Sequence, residues 1–191
     1  MTKRRKKEEV YNDSWVYILL LSTLIILIES LKTYTFNIRG VNITDAILLL
    51  PLIYLITNYI TKKFDYRKAL VAISTSGVAL VLYYLIINFA LGRDANLMNV
   101  AGEFVGYVMS QLINLLIYTF ILANTRQPYI LIFLGYIFSL VVFYMFYTLI
   151  YLNMLILDGF WTEYFMVIGI QLIICLPIAY IDKKIKRGHE E

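Results

Sequence analysis

Residues 69–91, ALVAISTSGVALVLYYLIINFAL, run without a charge between the pair Arg67-Lys68 and the following Gly92-Arg93-Asp94. The hydrocarbon core of a bilayer is roughly 30 Å thick and takes about 20 helical residues to cross. This run is long enough. It must be a helix, because a spanning segment has to satisfy its own backbone hydrogen bonds and the run lacks the period-2 alternation of barrel strands. Working outward, further apolar runs lie at 15–31, 43–60, 100–122, 129–151 and 164–181. The expected fold is therefore an all-α membrane protein, a bundle of six transmembrane helices at 15–181. A basic head at 1–14 and a charged tail at 182–191 flank it.

Composition agrees, since a chain that is 61% hydrophobic and 16% charged is too apolar for one water-soluble domain of its length. The lysines and arginines set the orientation. Counted over alternate connections, fourteen fall on one side: Lys3, Arg4, Arg5, Lys6 and Lys7, then Lys62, Lys63, Arg67 and Lys68, then Arg126, and finally Lys183, Lys184, Lys186 and Arg187. Only Lys32, Arg39 and Arg93 fall on the other. Both ends are thus expected in the cytoplasm, in a cell (plasma) membrane, and the first apolar run is expected to be a retained helix. Trp15, Tyr17, Tyr59, Tyr129, Tyr151, Trp161, Tyr164 and Tyr180 cluster near the span ends, where amphipathic rings prefer the head-group layer. The positive charge sits in short clusters rather than along an amphipathic face, so lipid head groups are the expected partner and nucleic acid is not.

Polar residues inside spans are costly and tend to face protein, a cavity or a solute. In 100–122, Glu103, Tyr107, Ser110 and Asn114 share one helical face, with Gln111 beside them. Gly102, Gly106 and Ser110 also recur every four residues, so close helix packing is a second reading of this surface. In 43–60, Thr44, Pro51, Tyr54, Asn58 and Thr61 form another face with Thr57 alongside, and a mid-helix Pro51 is expected to free a carbonyl and kink the span. The last run repeats the pattern with Gln171 and Pro177, and residues 69–91 supply Gly77, Tyr84 and Asn88. For Gln171 and Asn88, interhelical hydrogen bonding remains the alternative. Glu29 and Asp45, near the expected outer face, read as carboxylates wetted at the interface.

Three stretches resemble the queuosine precursor transporters, also called the vitamin uptake transporter family. Leu50-Pro51-Leu52-Ile53-Tyr54-Leu55-Ile56-Thr57-Asn58, with Phe64-Asp65-Tyr66-Arg67-Lys68-Ala69 after it, is similar to the family's proline-aromatic-Thr-Asp helix and its following turn. Gly106-Tyr107-Val108-Met109-Ser110-Gln111-Leu112-Ile113-Asn114 is similar to its Ala-Tyr-Leu-Ile-Ser-Gln-Leu-Leu-Asp stretch, and a glutamine helix ending Leu176-Pro177-Ile178-Ala179-Tyr180 to a third. The resemblance implies uptake of a 7-deazaguanine, in a fold similar to the substrate-binding subunits of energy-coupling-factor vitamin transporters. Asn58 and Asn114 stand where the family pattern often has aspartate, and the fifth run lacks an expected acid. Such losses imply preference for a neutral deazaguanine or another small solute.

On this reading Glu103 accepts an NH and an NH2 of a guanine-like edge, Gln111 and Asn114 pair with the remaining polar atoms, Tyr54, Tyr84 and Tyr107 offer ring faces, and Ser110, Asn58 and Gln171 complete the expected substrate-binding set. No Walker motif, zinc-protease helix or serine–histidine pair is present, so an ATPase or a histidine-dependent hydrolase has no support; the resemblance implies a transporter and not an enzyme, with no catalytic residues and no cofactor expected. The one cysteine, Cys175, excludes a cysteine-based metal site, and no metal is expected. Two other functions remain open: a substrate-binding subunit driven by a separate ATP-dependent coupling module, and a non-transporting scaffold of a cell-envelope complex. A coupling module or a second copy of the chain is left open as a partner.

Overall fold

The computed structural model describes residues 3–92, 97–124, 129–150 and 160–187. Six helices dominate: α1 Lys3–Leu31, α2 Leu50–Lys63, α3 Tyr66–Leu91, α4 Leu97–Ala123, α5 Tyr129–Ile150 and α6 Phe160–Arg187. Five helical stretches are long and apolar enough to cross a membrane: Ser14–Leu31, Asp45–Lys63, Tyr66–Leu91, Val100–Ala123 and Phe165–Lys184. In α5 the apolar stretch among the described residues is the shorter Tyr129–Phe143. Large apolar side chains such as Phe89, Leu116, Phe120 and Ile173 point away from the bundle, which suits a lipid surround and would be costly in water.

Two expected boundaries move. Residues 3–14 and 182–187, in the expected head and tail, are helical and continue α1 and α6. Lysine, arginine and glutamate are good helix formers, and extending an existing helix adds a hydrogen bond for each residue fixed.

The connection between α1 and α2 adds one short hairpin to the all-α bundle. An antiparallel hairpin, β1 Thr35–Ile38 and β2 Val41–Thr44, pairs Thr35 with Thr44 and Ile38 with Val41. Its turn is Arg39-Gly40, with φ of 51° and 87°. Positive φ at both central residues is the turn that matches strand twist, and glycine takes it without penalty while Arg39 does not. Asn37 Oδ1 accepts a hydrogen bond from the Gly40 N–H at 2.9 Å, tying the turn to the strand. Thus Ile43 and Thr44, expected in the second helix, belong to a strand, and Thr44 does not share a helical face with Asn58.

Pro51 is corrected as well. A short 3-10 turn, Asp45–Leu48, ends just before α2, which places Pro51 in the first turn of that helix. An amide there has no intrahelical acceptor to lose, so this proline starts α2 instead of kinking it. Pro177, by contrast, does lie inside α6.

The short α2 is the centre of the bundle and packs against α1, α3, α4 and α6. Of its spanning stretch 56% is buried, against 28% for α3, which faces outward over most of its length. Helices α4 and α5 approach closely through small residues: a Cβ on Gly106 would meet the Phe143 carbonyl oxygen at 3.1 Å, and one on Gly135 the Ile117 side chain at 2.9 Å. The packing reading of the glycine stripe on α4 therefore holds for Gly106, while the polar residues beside it have other partners.

Candidate functional site

Helix α4 carries polar side chains along its length, and the structure divides them between two buried clusters. Glu103 near its start and Tyr118 near its end are about 22 Å apart along the axis.

The first cluster joins α1, α3 and α4. The Lys32 ammonium, one residue beyond α1, lies 2.7 Å from Glu29 Oε1 and 2.5 Å from Glu103 Oε2. Tyr84 of α3 donates to the other oxygen of Glu29 at 2.5 Å. Both carboxylates are buried, and a quarter of the lysine side chain is exposed. Burial works against the ammonium, but the charges of Glu103 and then Glu29 more than offset it and hold Lys32 above the usual lysine pKa. Glu29 is therefore not the interfacial, wetted carboxylate expected. Its i,i+3 spacing to Lys32 turns it inward onto the shared cation. Glu103 and Tyr84, both expected to face a solute, are engaged here by Lys32 and Glu29.

The second cluster joins α2, α4, α5 and α6. Thr57 donates to Gln111 Oε1 at 2.8 Å, and Asn114 Nδ2 donates to Asn58 Oδ1 at 2.9 Å. Asn58 Nδ2 donates in turn to the Tyr136 hydroxyl at 3.2 Å, and Tyr136 donates to Asp182 Oδ2 at 3.2 Å. Tyr118 donates to Asp182 Oδ1 at 3.1 Å. The Tyr54 ring is tilted against Tyr136 with centroids 6.2 Å apart. All of these side chains are buried. The Gln111 amide nitrogen has no hydrogen-bond partner among the described residues.

The remaining expected site residues lie elsewhere. Tyr107, between the clusters on α4, hydrogen-bonds Ser76 of α3 at 2.5 Å, and Ser110 returns its hydroxyl proton to the Tyr107 carbonyl. Both are satisfied within the packing. Gln171 of α6 donates to the carbonyl of Ile47 in the 3-10 turn, while its Oε1 has no partner among the described residues.

Of the nine expected residues, Asn58, Gln111, Asn114 and Tyr54 thus belong to one network, and Glu103 and Tyr84 to another. Sequence reasoning missed Lys32, counted only as a loop cation, and Asp182, assigned to the tail. It also missed Tyr136 and Tyr118, although Tyr118 follows Asn114 by four residues and so prolongs the same face of α4. Among the described residues no group of His, Cys, Asp and Glu has the arrangement of a metal site. No protein-family model, curated protein or solved structure matches the chain.

Proposed function

We propose that this chain is a multi-pass membrane transporter for a small planar polar solute, of the 7-deazaguanine class implied by its resemblance to the queuosine precursor transporters. It crosses the plasma membrane six times with both ends in the cytoplasm. The observation that carries this reading is the contact between the two strongest stretches of the resemblance: Thr57 meets Gln111 and Asn58 meets Asn114 inside the bundle. Buried amides and a carboxylate in apolar helices are expensive, and a solute site is a common reason to keep them. The site is Asn58, Gln111 and Asn114, with Tyr54 and Tyr136 as ring faces. Glu103 supports it from a distance by holding α4 to Lys32.

Six spans accord with the length of α5, whose 22 residues reach about 33 Å. Cysteines introduced at Thr2, Thr125 and Gly188, in a chain with Cys175→Ser, are expected to react only with permeant reagents in intact cells, and one at Asn96 with an impermeant reagent. Labelling of Thr2→Cys or Gly188→Cys from outside would overturn the orientation.

Solute recognition is tested at Asn58, where Asp restores the family's residue. A carboxylate there favours a cationic aminomethyl deazaguanine over the neutral cyano compound by about 1.5 to 3 kcal/mol, roughly ten-fold to more than a hundred-fold in relative affinity. The measurement is competition binding to the purified protein. Unchanged relative affinities would remove Asn58 from the site.

A second reading, a scaffold that moves nothing, is favoured by the mutual pairing of most of the buried polar groups, which is what helix packing alone requires. Loss of an envelope complex without any uptake defect, on deleting the chain, separates it from transport.

A further inference from the structure

The second cluster has a direction. The hydrogen bonds that lead from Asn114 to Asp182 all run the same way: Asn114 donates to Asn58, Asn58 to Tyr136, and Tyr136 to the carboxylate. The cause is at the end of the chain. An ionised carboxylate only accepts, so Tyr136 must donate its one proton to Asp182 and has only lone pairs left for Asn58. Asn58 must then present its NH2 to Tyr136, which leaves its carbonyl for Asn114. Asn114 spends one N–H on this bond and keeps its carbonyl and a second N–H for other partners.

We propose that Asp182 is a proton-binding site whose protonation state sets the donor and acceptor pattern that Asn114 presents to the solute. When Asp182 takes one proton from water, its new O–H donates to Tyr136, Tyr136 donates to Asn58, and Asn58 turns its amide to donate to Asn114. The Asn114 amide turns with it, and Asn58 gives up its own contact with Asp182. The carbonyl of Asn114 is now occupied and both its N–H groups are free. A lactam edge, one N–H beside one C=O, matches the amide left by the ionised state and mismatches the one left by the protonated state. Proton binding on α6 and solute binding between α2 and α4 therefore oppose each other across a path of four side chains.

The groups that act on Asp182 come from each packed helix: Tyr118 of α4, Tyr136 of α5, and Asn58 and Lys62 of α2. Lys62 is the cation among them. Asp182 is buried and is not needed to hold α6 to the bundle through apolar contact, since Cys175, Ile178 and Ala179 already pack into the core.

The coupling rests on the proposed transport reading, but the proton site is measured without any solute. Infrared difference spectra of the purified protein in lipid, between high and low pH, are expected to show a protonated-carboxyl C=O band that Asp182→Asn abolishes. Tyr118→Phe, which removes one donor to the carboxylate without touching the path to Asn114, should keep the band and change its titration midpoint. Binding of 7-cyano-7-deazaguanine to the wild type should weaken on acidification through the same midpoint, by at most about ten-fold per pH unit for one linked proton, and should be flat in Asp182→Asn. A carboxyl band that persists in Asp182→Asn and does not respond to Tyr118→Phe overturns the proton site. Wild-type binding that is constant while the band titrates overturns the coupling. If the probe fails to bind at every pH the functional reading falls, and the band alone decides the proton site.

Discussion

Replacing Lys32 with methionine is expected to destabilise the folded bundle by about 3 kcal/mol, at the low end of the range for removing one partner of a buried ion pair. The low end applies because a quarter of the lysine side chain is exposed. The loss arises less from the attraction removed than from what remains: Glu29 and Glu103 are left buried side by side, on α1 and α4, with no cation between them. Neutralising both acids together, in Glu29→Gln/Lys32→Met/Glu103→Gln, should recover most of the stability, because a matched neutral cluster carries no uncompensated charge. Glu103→Gln alone should cost less than Lys32→Met, since Lys32 keeps Glu29. Equilibrium unfolding in mixed micelles measures all four chains. A triple variant no more stable than Lys32→Met would show that the cluster acts through shape and not charge.

Substituting alanine for Asp182 is expected to cost about 2 to 6 kcal/mol and to eliminate solute binding. Two buried hydroxyls, of Tyr118 and Tyr136, lose their acceptor at once, and each such orphaned donor costs about 1 to 3 kcal/mol. Asp182→Asn keeps a carbonyl acceptor of the same shape and should lie within about 1 kcal/mol of the parent, the net worth of a typical hydrogen bond. Thermal unfolding of the two variants in detergent, each scored with solute binding, gives the comparison. Equal stability of the alanine variant and the parent would mean that the tyrosine hydroxyls find other acceptors and that Asp182 does not organise the cluster.

The helices were legible because hydropathy over about 20 residues responds to the one constraint a bilayer imposes, and that constraint is local. The facing of Asn114 and Gln111 was legible for a similar reason, since helical spacing puts them on one side of α4. What spacing does not give is the partner across the gap. Lys32 reads as an outer-loop cation until the fold brings Glu103 to it, and Asp182 reads as the start of a tail until α6 continues past it and sets it against Tyr118 and Tyr136. The hairpin was lost differently. Its alternation of Phe36, Ile38, Val41 and Ile43 is only four residues long on each strand, and the apolar Ile43 reads as part of the run that continues into the next helix. Pro51 followed the same error: once the helix begins at Leu50, the residue that would have broken it starts it.

Movement of a planar lactam through this bundle is what we propose for this chain. It is tested most directly by uptake of radiolabelled 7-cyano-7-deazaguanine in cells that lack their own synthesis and salvage of the compound. Saturable uptake is expected when the chain is expressed, competed by unlabelled compound and absent in an Asp182→Ala variant present at the same membrane abundance. Uptake indistinguishable from that of cells without the chain, with the protein folded and in the membrane, would contradict it.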